Sequence, residues 1–173
     1  IGLAVGLGLA YLLHRLDDRL ELAEDIEAEL EEPMLGQIPQ VYSRTIQREF
    51  LLITQLDQYS FFSESIRGVR SAIMLSGQPG NKQVMLVSSA VPGDGKTTFT
   101  VNFAATLALA GHRVLLVDAD LRRGIIHKYF GQERAPGLSE VLAGELHWTD
   151  ALRSSEISSL QMMCSGRLQA NPG

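Results

Sequence analysis

Residues 84–97 read Val-Met-Leu-Val-Ser-Ser-Ala-Val-Pro-Gly-Asp-Gly-Lys-Thr. A short apolar run, then a glycine-rich loop, then Lys-Thr, is the pattern of a phosphate-binding loop between a strand and a helix. Each residue type has a chemical task. Gly93 and Gly95 let the backbone turn sharply and bring its N–H groups to phosphate oxygens, flanked by Pro92 and Asp94. Lys96 reaches the β- and γ-phosphates, the Thr97 hydroxyl ligates Mg²⁺, and Thr98 contacts the α-phosphate. The helix that follows turns its positive dipole end to the anion. One position departs from G-x-x-x-x-G-K-[ST]: the first glycine is Ala90.

The surroundings support the motif. Residues 83–88 are apolar and partly β-branched, as a buried parallel strand should be. Residues 97–110 are small and apolar and stop at Gly111, predicting a helix. A second strand, 113–117, ends in Asp118-Ala-Asp120. The order strand, loop, helix, strand, carboxylates predicts a βαβ unit with its chemistry at the carboxyl ends of the strands. The expected fold is therefore α/β, a P-loop NTPase-type parallel sheet with flanking helices. Residues 159–164 read as a third strand, 61–76 as an amphipathic helix, and residues from 137 to 142 as the start of a short helix. A short turn is expected at 149–153, and 34–39 as an added edge strand.

The whole-chain charge of −5 conceals an uneven distribution. Nine of the 20 acidic residues fall in 17–32, leaving 11 acidic against 13 basic residues outside 14–32. No clustered basic face results, so no nucleic-acid partner is expected. A single cysteine, Cys164, excludes an internal disulfide framework and fits a reducing compartment. The chain opens on an apolar run, 1–13, too short to cross a bilayer, which takes roughly 20 residues. A signal-peptide core and a buried helix are alternatives. Gly2, Gly6 and Gly8, with Tyr11, His14 and Arg15 at the edge, favour the end of a transmembrane helix. This divides the chain into 1–15 as the end of that helix, 16–60 as a juxtamembrane helix and linker, and 61–173 as the nucleotide-binding domain. Within the linker, residues 14–32 carry a helical pattern, residues 45–56 suggest a short helix, and 78–81 a turn.

Four segments together resemble the bacterial tyrosine kinases attached to polysaccharide co-polymerases. The loop 88–97 is similar to that family's Walker A, including its proline and its missing first glycine. The stretch 114–122, with Asp118 and Asp120, resembles its Walker A′ motif. Glu64, Arg67 and Arg70 match the E-x-x-R-x-x-R motif by which the family assembles a ring. Residues 33–39 look like the segment just inside its second membrane helix. The resemblance implies an ATP- and Mg²⁺-dependent protein-tyrosine kinase acting in exopolysaccharide or capsule synthesis. It would sit at the bacterial inner membrane with its catalytic domain in the cytoplasm. It also implies Lys96, Asp118 and Asp120 as catalytic residues, with Asp118 serving the incoming tyrosine hydroxyl. Pro92, Gly93, Asp94, Gly95, Lys96, Thr97 and Thr98 would surround the phosphates, and Thr97 and Asp120 would serve the metal. The implied partners are further copies of the chain, tyrosine-bearing proteins including the family's C-terminal tail, and the polysaccharide export machinery. The family's Walker B strand and tyrosine-rich tail are expected after Gly173.

Two rival readings share the loop. Partitioning ATPases of the Min/Par type carry a lysine where this chain has Val91. A structural chain-length regulator would use the nucleotide as an assembly switch without kinase activity. For Asp120 the alternatives are capping the next turn or pairing with Arg122; Arg122 and Arg123 read either as one contact to nucleotide or an adjoining subunit, or as solvated surface. Tyr42 and Tyr59 are candidates for modification that no sequence context separates. His112, His127 and His147 show no ligand spacing, and Trp148 and Tyr129 read as packing residues.

Overall fold

The computed structural model describes residues 2–15, 27, 30–40, 52–53, 57–76 and 84–168. Two compact units, 1–35 and 36–173, divide the chain. The first contains helix α1 (Gly2–Arg15). Among the described residues no helix is long and apolar enough to cross a membrane. Most of the expected helix over 14–32 lies outside the described residues, as do the turn at 78–81 and most of the expected helix at 45–56.

The second unit is built around one helix. It runs α2 (Phe61–Ser76), α3 (Lys96–Leu109), β1 (Val114–Val117), α4 (Ile126–Tyr129), α5 (Leu138–Leu142), a 3-10 turn (Trp148–Ala151), β2 (Leu152–Ser154) and β3 (Leu160–Met163). Eight consecutive residues of α3, Val101 to Ala108, are buried. A helix apolar on all sides must be covered on all sides, and two cores cover it. On one side Val101, Ala104, Ala105 and Ala108 pack with Leu116, Leu160 and Met162 of the sheet. On the other, Phe103 and Leu107 pack with Phe62, Ile66 and Val69 of α2. The alanines on the sheet side carry no side chain beyond Cβ, which suits close approach to the strands.

Gly111 ends α3 as expected. Its φ of 90° is a left-handed value that glycine adopts without a Cβ clash. Gly111 N–H donates to the Ala108 carbonyl and His112 N–H to that of Leu107, the paired bonds of a Schellman cap.

The sheet order is β1-β3-β2. β1 pairs with β3 in parallel, Val114 opposite Leu160 and Val117 opposite Met163. β2 pairs with β3 antiparallel. The sheet is therefore mixed, and only the β1–β3 pair is parallel as expected. Residues 84–89 form no ladder, so the predicted strand before the loop is absent. Val84 and Leu86 are 99% and 89% exposed, and a parallel strand needs a hydrogen-bonding neighbour and cover on both faces. β1 likewise buries Leu116 but leaves Leu115 and Val117 exposed. The predicted edge strand at 34–39 also makes no ladder. Pro33 just before that stretch and Pro39 at its end have no N–H to donate, and its Ile38 packs against the α2–α3 core instead.

Candidate functional site

The loop, the start of α3 and the end of β1 meet in one place. Gly93 and Gly95 have φ of 94° and 88°. Both values are left-handed, a conformation glycine adopts without a Cβ clash and that lets a loop turn tightly into a helix start. Asp94 faces back into the loop, its Oδ2 accepting the Val91 N–H at 3.3 Å. Ser89 Oγ donates to the Val91 carbonyl at 2.9 Å. Gly95 caps α3 without a side-chain bond. The helix's first N–H groups therefore have no capping side chain as acceptor, the condition in which a helix start receives an anion.

Lys96 opens the helix, and its Nζ stands 3.9 Å from Asp120 Oδ2. This contact joins the loop to the far end of β1. The other oxygen of Asp120 accepts the Arg123 N–H at 2.8 Å. Asp120 thus does cap the following turn, and its ion pair is with Lys96 and not with Arg122. Both partners are over a third exposed.

Asp118, two residues earlier, is different in kind. It is 4% exposed. Its Oδ2 accepts the Ile126 N–H at 3.0 Å and its Oδ1 the Asp120 N–H at 3.3 Å. Burial pushes its carboxyl above the usual carboxylate range; the two N–H donors pull the other way without cancelling it. Arg134 adds positive charge nearby. Its guanidinium donates to Ser165 Oγ and to the Leu121 carbonyl, tying the loop after β1 to the end of β3. Gly124 completes that packing: a Cβ there would collide with Ser165 Oγ and the Asp120 carbonyl.

Thr98 has a partner that sequence reading missed. Its Oγ1 is 2.7 Å from the hydroxyl of Tyr129 on α4. Tyr129 is thus both a packing residue against the sheet-side core and a polar neighbour of the phosphate loop. The residues are 31 apart, and the only sequence signal was an aromatic residue after the Asp-x-Asp strand end.

The end of β3 is also built with care. Glu140 is 5% exposed. It accepts N–H bonds from Gly137 at 2.8 Å and Arg167 at 3.0 Å, and the Ser139 hydroxyl at 3.1 Å. Burial would raise its carboxyl, yet these donors hold it below the usual range. The three residues expected for assembly separate: Glu64 and Arg67 pair with each other at 2.5 Å on α2. Arg70 instead donates to the Thr106 carbonyl near the end of α3 at 3.3 Å. Among the described residues no group of three His, Cys, Asp or Glu is placed to hold a metal.

Residues 86–158 match the CobQ/CobB/MinD/ParA nucleotide-binding domain. That family covers the P-loop, α3, β1 and the loop carrying Asp118 and Asp120. More specific likenesses run further along the chain. The tyrosine-protein kinase ptk of Acinetobacter johnsonii is 30% identical over 181 residues, covering 99% of this chain. The tyrosine-protein kinase YwqD of Bacillus subtilis is 33% identical over 121 residues, covering 70% of it. The chain belongs to the bacterial tyrosine-kinase family. The solved BceF tyrosine kinase domain is similar in structure too, with a TM-score of 0.78 and 31% identity over 88% of this chain. The chain spans only part of these bacterial tyrosine kinases: 24% of ptk, 51% of YwqD and 65% of the BceF domain. Membership supports the kinase expectation over the partitioning-ATPase rival.

Proposed function

We propose that this chain supplies the phosphate-binding half of an ATP-dependent protein-tyrosine kinase. The observation that carries this reading is the convergence of Lys96 with Asp120, 3.9 Å apart, beside the buried Asp118. Phosphoryl transfer asks mainly for positioning and charge neutralisation. The Gly93 and Gly95 turns and the start of α3 would cradle the phosphates between Pro92 and Thr98, with Lys96 on the β- and γ-oxygens. Asp118 would accept the proton of the attacking tyrosine hydroxyl. A carboxylate with a raised affinity for protons suits that role better than an ordinary one, because a phenol of pKa about 10 gives up its proton reluctantly.

The donor set also fits Mg²⁺. One hydroxyl, Thr97, and one carboxylate, Asp120, are hard oxygen ligands, and Mg²⁺ completes its shell with phosphate oxygens and water where other cations need a full protein cage. When bound, the ion would neutralise charge on the phosphate oxygens. Asp120 would then serve the ion once Lys96 has turned to phosphate.

The family resemblance extends the proposal to exopolysaccharide or capsule synthesis and export. It favours an inner-membrane protein with this domain in the cytoplasm, α1 belonging to a membrane helix. Further copies of the chain, tyrosine-bearing proteins and the export machinery are the proposed partners. Incubation of the full-length protein with ATP and Mg²⁺, followed by phosphotyrosine detection, tests the activity. Phosphotyrosine should form on the protein and vanish in Lys96→Met. An unchanged signal in that variant would sink the kinase assignment.

A further inference from the structure

The described tyrosines sit in three settings. Tyr129 is half-buried and faces Thr98. Tyr11 is on α1 beside exposed Leu7 and Leu12. Tyr59 is 91% exposed, in the turn that leads into α2. That turn is held by its main chain. Tyr59 N–H donates to Asp57 Oδ1 at 3.1 Å, and the Ser60 and Ser63 hydroxyls both donate to the Asp57 carbonyl. The backbone is therefore fixed while the phenol projects into solvent. This is the presentation a kinase needs, since the hydroxyl must enter another site.

Arg67 stands against the same turn. Its guanidinium donates to the Gln58 carbonyl, the residue before Tyr59, and to Glu64 Oε1. Negative charge on the Tyr59 oxygen favours the charged guanidinium, after the larger effects of Glu64 and of burial. The turn thus presents an accessible hydroxyl beside a cation already engaged by one carboxylate.

We propose that Tyr59 is a phosphorylation site for the chain's own kinase chemistry, and that Arg67 receives the new phosphate. This rests on the kinase reading above. The Tyr59 oxygen attacks the γ-phosphorus of ATP, and the bond from that phosphorus to the β,γ-bridging oxygen breaks. ADP leaves, and the phenolic proton passes to a carboxylate of the acting site and then to water. The product carries about −1.5 to −2 charges at neutral pH. It outcompetes the single charge of Glu64, because guanidinium pairs with phosphate in a two-pronged geometry. The start of α2 changes from a neutralised Glu64–Arg67 pair to a net negative face. That is the surface proposed for contact between copies, and like charges there oppose association.

Two measurements decide it. In the first, the full-length protein is incubated with ATP and Mg²⁺ and its phosphotyrosines are mapped by mass spectrometry. Phosphate should appear on Tyr59 and be lost from that peptide in Tyr59→Phe while other sites keep theirs. Phosphotyrosine elsewhere with none on Tyr59 overturns this inference and leaves the kinase reading standing; none anywhere removes both. In the second, phosphotyrosine is placed at position 59 during translation and its phosphate is titrated by ³¹P NMR. With Arg67 present the second ionisation should fall by on the order of half a unit relative to Arg67→Ala. Equal values would remove Arg67 from the proposal, whatever the enzyme's activity.

Discussion

Asp118 is a carboxylate kept from water just after β1, and its pH behaviour follows from that. The base proposed for the reaction works only when ionised, and burial lifts the pH at which Asp118 ionises. The rate of tyrosine phosphorylation should therefore fall with acid while ordinary carboxylates are still charged. A pH–rate profile should show this acid limb, and Asp118→Asn should lose both the limb and at least a hundredfold in rate. For stability the sign is opposite to that of most carboxylates. Asp118's contribution is complete below its unfolded value of about 3.9 and is lost as pH rises through its raised folded value. Tyr129→Phe tests the neighbouring hydroxyl pair. It removes the partner 2.7 Å from Thr98 Oγ1 and should raise KM for ATP a few-fold with kcat little changed, as loss of a positioning bond does. The two aspartates and the loop residues were legible in the sequence because spacing alone brings them to a strand end and a helix start. Tyr129 was not, because only the fold closes the 31 residues between it and Thr98.

The two long helices announced themselves, and so did the short β1, β3 and α5; β2 and α4 did not. α2 and α3 carry a full helical period and clear ends, and both stand within a residue of expectation. β2 has three residues and α4 four, too few for a periodic pattern to emerge. The stretch 84–89 taught the converse: its composition is that of a strand, but a strand exists only with a partner. Helix α5 is held by its start. Glu140 reaches back to the Gly137 N–H, the carboxylate half of a capping box, and a Cβ at Gly137 would strike the Cys164 carbonyl. Glu140→Gln should cost about 2 kcal/mol, since a buried charge-assisted acceptor becomes a neutral one with an amide to place. Its stabilisation is present above the unfolded value of about 4.3 and fades as pH falls through its depressed folded value. Urea melts at pH 7 and pH 3 should show the variant's deficit shrinking with acid.

At the scale of the whole molecule the α2 motif divides into two tasks. Glu64 and Arg67 pair on the solvent side, whereas Arg70 fastens α2 to the end of α3. Glu64→Ala with Arg67→Ala should lower the assembled mass by light scattering and leave the melting temperature nearly unchanged. Arg70→Ala should cost about 1 kcal/mol of stability by thermal unfolding, the value of one lost hydrogen bond. Helical spacing made the motif visible in the sequence, but not the turn of α2 that sends its third member inward. The helix it fastens has its own constraint. α3 carries the phosphate loop at one end and the Arg70 contact at Thr106 nearer the other, about 15 Å apart at 1.5 Å per residue. With a core on each side, rolling about its axis would open one core or the other. Held between the two cores and fastened by Arg70, α3 fixes where Gly95 and Lys96 begin relative to the sheet and α2.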